Sequence, residues 1–274
     1  MTEPADGQTR TAPGTAARST ATQATGAEPA RTGNYFRDTR PVEPDEPRVL
    51  YRVEEHIAHV VINRPLVLNA IHADVHRGIQ GYMRQADGDD DVRVVILSGK
   101  GRAFSVGGDR GLSPEERAAM EPADSVDTGL AIWNCRKPVI AAVQGYALGQ
   151  GAEIAAICDI TVAADDARFG EVQINMGAGP PILSAPSTMT IKQVKEYLLL
   201  GEHMTAQRAL EVGLVNRVVP RERLMDEALI IARRLAALPP RGVQGDKKLI
   251  NDAYERAGFV DTLKAAYAAF GHRE

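Results

Sequence analysis

A glycine-rich turn followed by a single carboxylate is the stretch of this sequence best suited to chemistry. Gly145, Gly149 and Gly151 follow the apolar run Val139–Val143, and Glu153 comes two residues after the last glycine. The pattern predicts a buried strand, a tight turn and a helix that begins near Gly151 with unpaired N–H groups. Such N–H donors can stabilise an oxyanion, and the carboxylate beside them can accept a proton. The alternative is a plain strand-to-helix turn in which Glu153 only suits the helix dipole.

A second glycine-rich loop, residues 99–109, also follows an apolar run. Its backbone N–H groups could point into a cavity, although a surface connection can have the same composition; Phe104 argues against a fully solvated loop. The loop matches neither the dinucleotide fingerprint nor the P-loop. Ser105 lies in no G-x-S-x-G elbow, so a serine nucleophile is not predicted. Asp109 is expected to fix the loop by accepting backbone N–H bonds.

The elements that must position these loops alternate between strand and helix, which predicts an α/β core. Strands are expected over residues 49–53, 57–62, 92–97 and 159–164, and helices over 73–85, 151–158 and 192–200. The stretch 167–175 is expected to be extended or irregular. From Ser184 onward the chain is expected to be mainly helical, with a last helix running from Lys247 to the C-terminus.

Composition narrows the class of protein. The chain has 274 residues and a net charge of −4, with no basic stripe that would suit nucleic acid. No apolar run is long enough to span a membrane. Cys135 and Cys158 are isolated in apolar contexts, which favours reduced thiols and a cytoplasmic protein. The six histidines show no ligand spacing, so no metal site is predicted.

Residues 2–34 lack Leu, Ile, Val, Phe and Met, and a disordered tail is therefore predicted over residues 1–47.

Several stretches together resemble the crotonase (enoyl-CoA hydratase/isomerase) family. They are residues 63–70 (NRPLVLNA), 101–109 (GRAFSVGGD), 137–170 with GYALGQGAE at their centre, and 201–220. The resemblance extends from about Val49 to the C-terminus. It implies an α/β fold in which ββα repeats wind into a spiral over residues 48–203. It also implies a helical C-terminal region over 204–274 that builds homotrimers, often paired as hexamers.

The resemblance also implies an acyl-CoA thioester as substrate and partner, and no metal or redox cofactor. Family members stabilise an enolate with two backbone N–H groups, which fall here at Val106 and Gln150. Glu153 falls where the family's hydratases place the glutamate that activates water. Contacts to substrate and coenzyme A are implied for two groups of residues. These are Leu66, Val67, Leu68 and Ala70 after the first motif, and Ser105, Gly107, Gly108, Asp109 and Gly149 in the glycine loops.

The sequence departs from the family at the second catalytic glutamate, whose position is held by Gln173. A glutamine amide can hold a water or a carbonyl but cannot exchange a proton at neutral pH. If residues 170–174 are extended, residues two apart point to the same side, and Glu171 could enter the cavity that Gln173 lines. The alternative is that Glu171 is a surface or ion-paired carboxylate.

The leading expectation is therefore an enoyl-CoA hydratase that adds water across the 2,3 double bond, with Glu153 as base. Gln173 keeps open a reaction that needs one carboxylate, either double-bond isomerisation or acyl-CoA hydrolysis. A protein of another class, a scaffold that binds acyl-CoA without turnover, is the third possibility.

Overall fold

The computed structural model describes residues 46–119 and 124–270, so the expected tail lies outside the described residues except for its last two positions. The strands are β1 (Val49–Glu54), β2 (Ile57–Ile62), β3 (Val94–Gly99), β4 (Val139–Val143), β5 (Tyr146–Leu148), β6 (Ile160–Ala164), β7 (Arg168–Gly170), β8 (Met204–Thr205) and β9 (Arg217–Val219). The larger sheet has six strands in the order β1-β2-β3-β4-β6-β9. In this sheet only β1 is antiparallel to its neighbour. A smaller sheet has the order β5-β7-β8.

The helices cover both faces of the larger sheet. They are α1 (Ala73–Gly88), α2 (Pro114–Ala118), α3 (Asp124–Trp133), α4 (Gln150–Ile157), α5 (Ile191–Leu200), α6 (Ala206–Glu211), α7 (Leu224–Ala236), α8 (Pro240–Arg256) and α9 (Phe259–Phe270). Short 3-10 helices span Pro65–Val67, Val172–Met176, Ala185–Ser187 and Arg221–Arg223. None of the helices in the described ranges is long and apolar enough to cross a bilayer.

The apolar run Val139–Val143 forms the expected buried strand, because its side chains alternate between two cores. Val139 and Ala141 belong to the core that includes residues of α1 and α3. Ile140 and Ala142 belong to the core that α7 covers. Burial on both faces explains why the whole run is apolar.

The stretch around Glu171 is a strand only at its start. Arg168–Gly170 is a strand and Val172–Met176 is a 3-10 helix, so the backbone is not extended over residues 170–174, and the condition for Glu171 and Gln173 to point to the same side of a strand is not met. The reason lies in the pairing. The ladder with β5 ends at Leu148 and Gly170, where the neighbouring chain turns into α4 and offers no further partner.

The C-terminal part also differs in detail. Gly258, at φ +91°, separates α8 from α9, and α8 begins at Pro240, so the expected single helix from Lys247 is two helices. Residues from 204 onward also supply β8 and β9 to the two sheets, although the expected helices do follow them.

Candidate functional site

The two glycine loops meet beside the start of α4. Ser105 N–H donates to the Tyr146 carbonyl, and Leu148 N–H donates to the Ser105 carbonyl, each at 2.9 Å. Gly107, at φ +82°, packs so closely that an added Cβ would lie 2.6 Å from the Leu148 carbonyl oxygen and 3.2 Å from Gln150 N. Glycine is therefore required at position 107, and residues 106–107 lie against the N-terminus of α4.

The two N–H groups expected to stabilise an oxyanion differ in their hydrogen bonding. Gln150 opens α4, so its N–H has no acceptor within the helix. Val106 N–H donates to the Leu68 carbonyl oxygen at 3.1 Å. An oxyanion could therefore bind this N–H only by sharing it with the Leu68 carbonyl or by displacing that carbonyl. Leu68 and Asn69 both have left-handed backbones, with φ values of 53° and 57°. A strained turn thus delivers the competing carbonyl.

Asn69 and Ser105 hold this turn in place. The Asn69 amide donates to the carbonyls of Lys100 and Ala103 at 2.9 and 2.8 Å. Ser105 Oγ donates to the Asn69 carbonyl at 2.8 Å and accepts Gly107 N–H at 3.1 Å. The Ser105 hydroxyl is fully buried and is used within the loop, and its expected contact with the substrate stays a prediction.

Asp109 fixes its loop by accepting a backbone N–H, as the sequence predicts. One carboxylate oxygen accepts Gly111 N–H at 2.9 Å, and the other pairs with Arg64 at 2.7 Å. Arg64 also donates to the Ala70 carbonyl at 2.5 Å, which ties the two motifs together. The other residues expected to contact coenzyme A lie at different depths: Leu66 and Val67 are half-buried, Leu68 and Ala70 are buried, and Gly108 is exposed.

Glu153 lies in the first turn of α4 and is 1% exposed. Its Oε2 accepts two hydrogen bonds from Ser184, from N–H at 2.7 Å and from the hydroxyl at 2.5 Å. Burial raises the pKa of Glu153 to about 7, although these bonds and a hydrogen bond with Glu171 act in the opposite direction. The carboxyl can therefore exchange a proton near neutral pH.

Glu171 lies beside Glu153 and is equally buried, at 1% exposure. Burial first, and then the negative charge of Glu153, raise the pKa of Glu171 well above its usual value. Because two neighbouring buried carboxylates cannot both ionise easily, the pair favours keeping one proton. Glu171 Oε1 accepts no hydrogen bond from an N–H or hydroxyl group of the described residues.

Gln173 lies between Glu171 and the glycine turn. Its Nε2 donates to Glu171 Oε2 at 2.5 Å. A Cβ added to Gly149 would lie 3.2 Å from Gln173 Oε1. The structure thus brings Glu153, Glu171 and Gln173 together through the 3-10 turn, whereas the sequence left open whether Glu171 enters the site.

A buried polar chain, which the sequence did not reveal, supports the start of α4. His76 Nδ1 lies 2.8 Å from Thr128 Oγ1, and His76 Nε2 lies 3.4 Å from the Gln150 side-chain nitrogen. Burial, with smaller contributions from His72 and Arg77, lowers the pKa of His76 to about 4. His76 is therefore neutral at neutral pH, and its Nε2 can accept a hydrogen bond from the Gln150 side-chain amide.

Ser184 and Tyr197 are further residues at the site that sequence reasoning missed. Ser184 is 31 positions from Glu153, and nothing in its local pattern indicates the contact. Tyr197 lies on the buried face of α5, where the sequence pattern indicates only a core residue. In the described ranges, no three or more His, Cys, Asp or Glu side chains gather as metal ligands.

The described geometry can be compared with known proteins. Residues 52–272 match the family model for enoyl-CoA hydratase/isomerase. A probable enoyl-CoA hydratase of Mycobacterium bovis is 33% identical over 81% of this chain and 89% of its own. A short-chain-enoyl-CoA hydratase of Clostridium acetobutylicum is 33% identical over 74% of this chain and 80% of its own.

A solved structure supports the same assignment. The enoyl-CoA hydratase/isomerase of Xanthobacter autotrophicus Py2 superposes with a TM-score of 0.78 at 38% identity, over 82% of this chain and 86% of its own. The mixed α/β architecture is therefore the crotonase fold that the motifs predict. With its model match spanning most of the sequence, this chain belongs to the enoyl-CoA hydratase/isomerase family.

Proposed function

We propose that this protein is an enoyl-CoA hydratase in which Glu153 and Glu171 are the two acid–base groups. The observation that carries the proposal is the buried carboxyl pair, whose raised pKa values keep one proton between two carboxyls near neutral pH. Hydration needs one group that removes a proton from water and one that gives a proton to the α-carbon. Glu171 can supply the carboxyl that Gln173 lacks.

In the proposed reaction, ionised Glu153 removes a proton from water while the water oxygen bonds to the β-carbon. The electrons of the double bond move to the thioester oxygen, and Gln150 N–H stabilises that enolate. Val106 N–H becomes the second donor when the Leu68 carbonyl releases it. The Glu171 carboxylic acid then protonates the α-carbon. The hydrogen bond between the two carboxyls lets the new proton on Glu153 return to Glu171, which resets the pair.

The remaining features of the proposal rest on the family. The substrate is an acyl-CoA thioester, and the chemistry needs no further cofactor, since both proton transfers use side chains of the chain. A homotrimer or hexamer is proposed for the assembly. A cytoplasmic location is proposed as well, and the two buried free thiols, Cys135 and Cys158, support it.

Hydration of crotonyl-CoA and longer 2-enoyl-CoAs, with identification of the products, tests this function. The wild type should form the 3-hydroxyacyl-CoA, and Glu153→Gln should lower kcat/KM by about 10²–10⁴-fold because general base catalysis is lost. Equal rates for the two proteins would refute the role of Glu153. Release of free coenzyme A would indicate hydrolysis instead. Tight binding in calorimetry without any product would favour the non-catalytic scaffold.

Isomerisation of a 3-enoyl-CoA is the second candidate, and the strongly raised pKa of Glu171 favours it. If Glu171 remains protonated throughout, Glu153 alone would move one proton between two carbons, and the wild type should isomerise a 3-enoyl-CoA without hydrating a 2-enoyl-CoA. Glu171→Gln should then retain isomerisation. Loss of isomerisation in that variant would exclude this candidate.

A further inference from the structure

Besides Glu171 Oε1, two buried polar atoms near the carboxyl pair have no hydrogen-bond partner among the described residues: Gln173 Oε1 and the Tyr197 hydroxyl. Buried polar groups without partners are uncommon in folded proteins, and they often mark a bound water or ligand. One atom accepts hydrogen bonds only, and the other can donate. Their chemistry is therefore complementary to that of a single water molecule.

Both atoms lie at the proposed site. Gln173 is bonded to Glu171 through its Nε2, so its second polar atom cannot be more than a few ångströms from that carboxyl. Tyr197 is 5% exposed on α5, and α5 packs on both Val172–Met176, which carries Gln173, and Ala185–Ser187, which follows Ser184. Burial and then the charges of Glu171 and Glu153 raise the pKa of Tyr197 well above its usual value, which places the phenol within their field.

We propose that Tyr197 is a positioning residue that donates its O–H to a water molecule held by Gln173 Oε1 and the Glu153–Glu171 pair. The water accepts one hydrogen bond from Tyr197 and donates one to Gln173 and one to the ionised carboxyl. This inference rests on the proposed hydration, for which this is the water consumed. Gln173, unable to transfer a proton, keeps the part of a glutamate's role that binds water.

The kinetic test compares Tyr197→Phe with Tyr51→Phe. Tyr51 is a matched control because its hydroxyl is also buried without a partner but lies on β1, where it stacks on Tyr82 at a ring distance of 4.9 Å. For Tyr197→Phe we expect kcat to fall about tenfold with KM unchanged, since about one hydrogen bond is lost. The apparent pKa of kcat/KM should rise by about 0.5–1 unit, because the ionised carboxyl loses an indirect donor. Tyr51→Phe should leave all three values unchanged.

An infrared measurement on the substrate-free protein separates this inference from the proposed function. The carbonyl stretch of protonated Glu171 is identified by its loss in Glu171→Gln. This band should shift in Tyr197→Phe and stay in place in Tyr51→Phe. If the wild type hydrates no enoyl-CoA, the proposed function fails while the infrared result still decides the role of Tyr197. A band and a pH profile in Tyr197→Phe that match the control would overturn the inference.

Discussion

Ser184 binds one carboxylate oxygen of Glu153 twice, with its N–H at 2.7 Å and its hydroxyl at 2.5 Å. Since both donors use Oε2, the other oxygen of Glu153 remains available to exchange a proton. The two bonds also favour the ionised form and oppose the effect of burial on the pKa. Ser184 thus both orients the proposed base and sets the pH range in which it works.

Ser184→Ala removes one of these donors and should raise the apparent pKa of kcat/KM by up to about one unit. We expect hydration to slow about three- to tenfold at pH 7, with recovery at higher pH where Glu153 ionises again. A pH profile of crotonyl-CoA hydration measures this effect. Ser187→Ala, at a half-buried position three residues later, is the control. A loss of rate that is the same at every pH would contradict a role through the pKa.

Glu153→Gln should change how stability depends on pH. The folded carboxyl keeps its proton up to about pH 7, whereas the unfolded chain releases it near the ordinary pKa of 4.5. Between these values the folded state binds more protons, so the free energy of unfolding of the wild type falls as pH rises. The neutral amide of Glu153→Gln does not titrate, so the variant lacks this fall in the free energy of unfolding. As pH rises from 5 to 8, the stability of the variant relative to the wild type should increase by on the order of 2–3 kcal/mol.

Urea denaturation of both proteins across this range measures the difference. The comparison cancels shared groups that do not interact with Glu153. One is His76, whose lowered pKa makes stability fall in the opposite direction, as pH drops through 6.5 towards about 4. Parallel stability curves for the two proteins would argue against a raised pKa at Glu153.

Gly107→Ala should break the contact between the two glycine loops. The new Cβ would lie 2.6 Å from the Leu148 carbonyl oxygen, and φ of +82° disfavours any residue with a side chain. We expect a loss of about 2–4 kcal/mol in the free energy of unfolding. Gly81→Ala is the control, because α1 offers open space there and alanine favours helix. That variant should be neutral or stabilised by up to about 1 kcal/mol. Equal effects in thermal denaturation would contradict this reading of the loop contact.

The strand, turn and helix around Glu153 could be predicted because local signals agree. The run Val139–Val143 is apolar throughout, Gly149 has a positive φ, and the helix begins within one residue of its predicted start. The surroundings of Glu171 could not be predicted in the same way. Its backbone turns where β7 loses its pairing partners, and that depends on the sheet rather than on neighbouring residues.

The contacts that give the site its chemistry were the least predictable. Ser184 meets Glu153 across 31 residues, and His76 meets the Gln150 side chain across 74. No periodicity or motif encodes such a pairing, since each partner comes from a different element and meets the other only in the packed fold. The motifs identified Glu153 and Gln173. The burial of Glu171 and its closeness to Glu153, which raise its pKa, arise only in the folded structure.

The most direct test of the account is kcat/KM for enoyl-CoA hydration in Glu171→Gln, compared with Gln173→Leu. Glu171 is the proposed second carboxyl, so Glu171→Gln should lower kcat/KM by about 10²–10⁴-fold, as expected when an acid–base group is removed. Gln173→Leu should lose only about tenfold, because it removes hydrogen bonds but no exchangeable proton. Near-wild-type hydration in Glu171→Gln, with a larger loss in Gln173→Leu, would contradict the account.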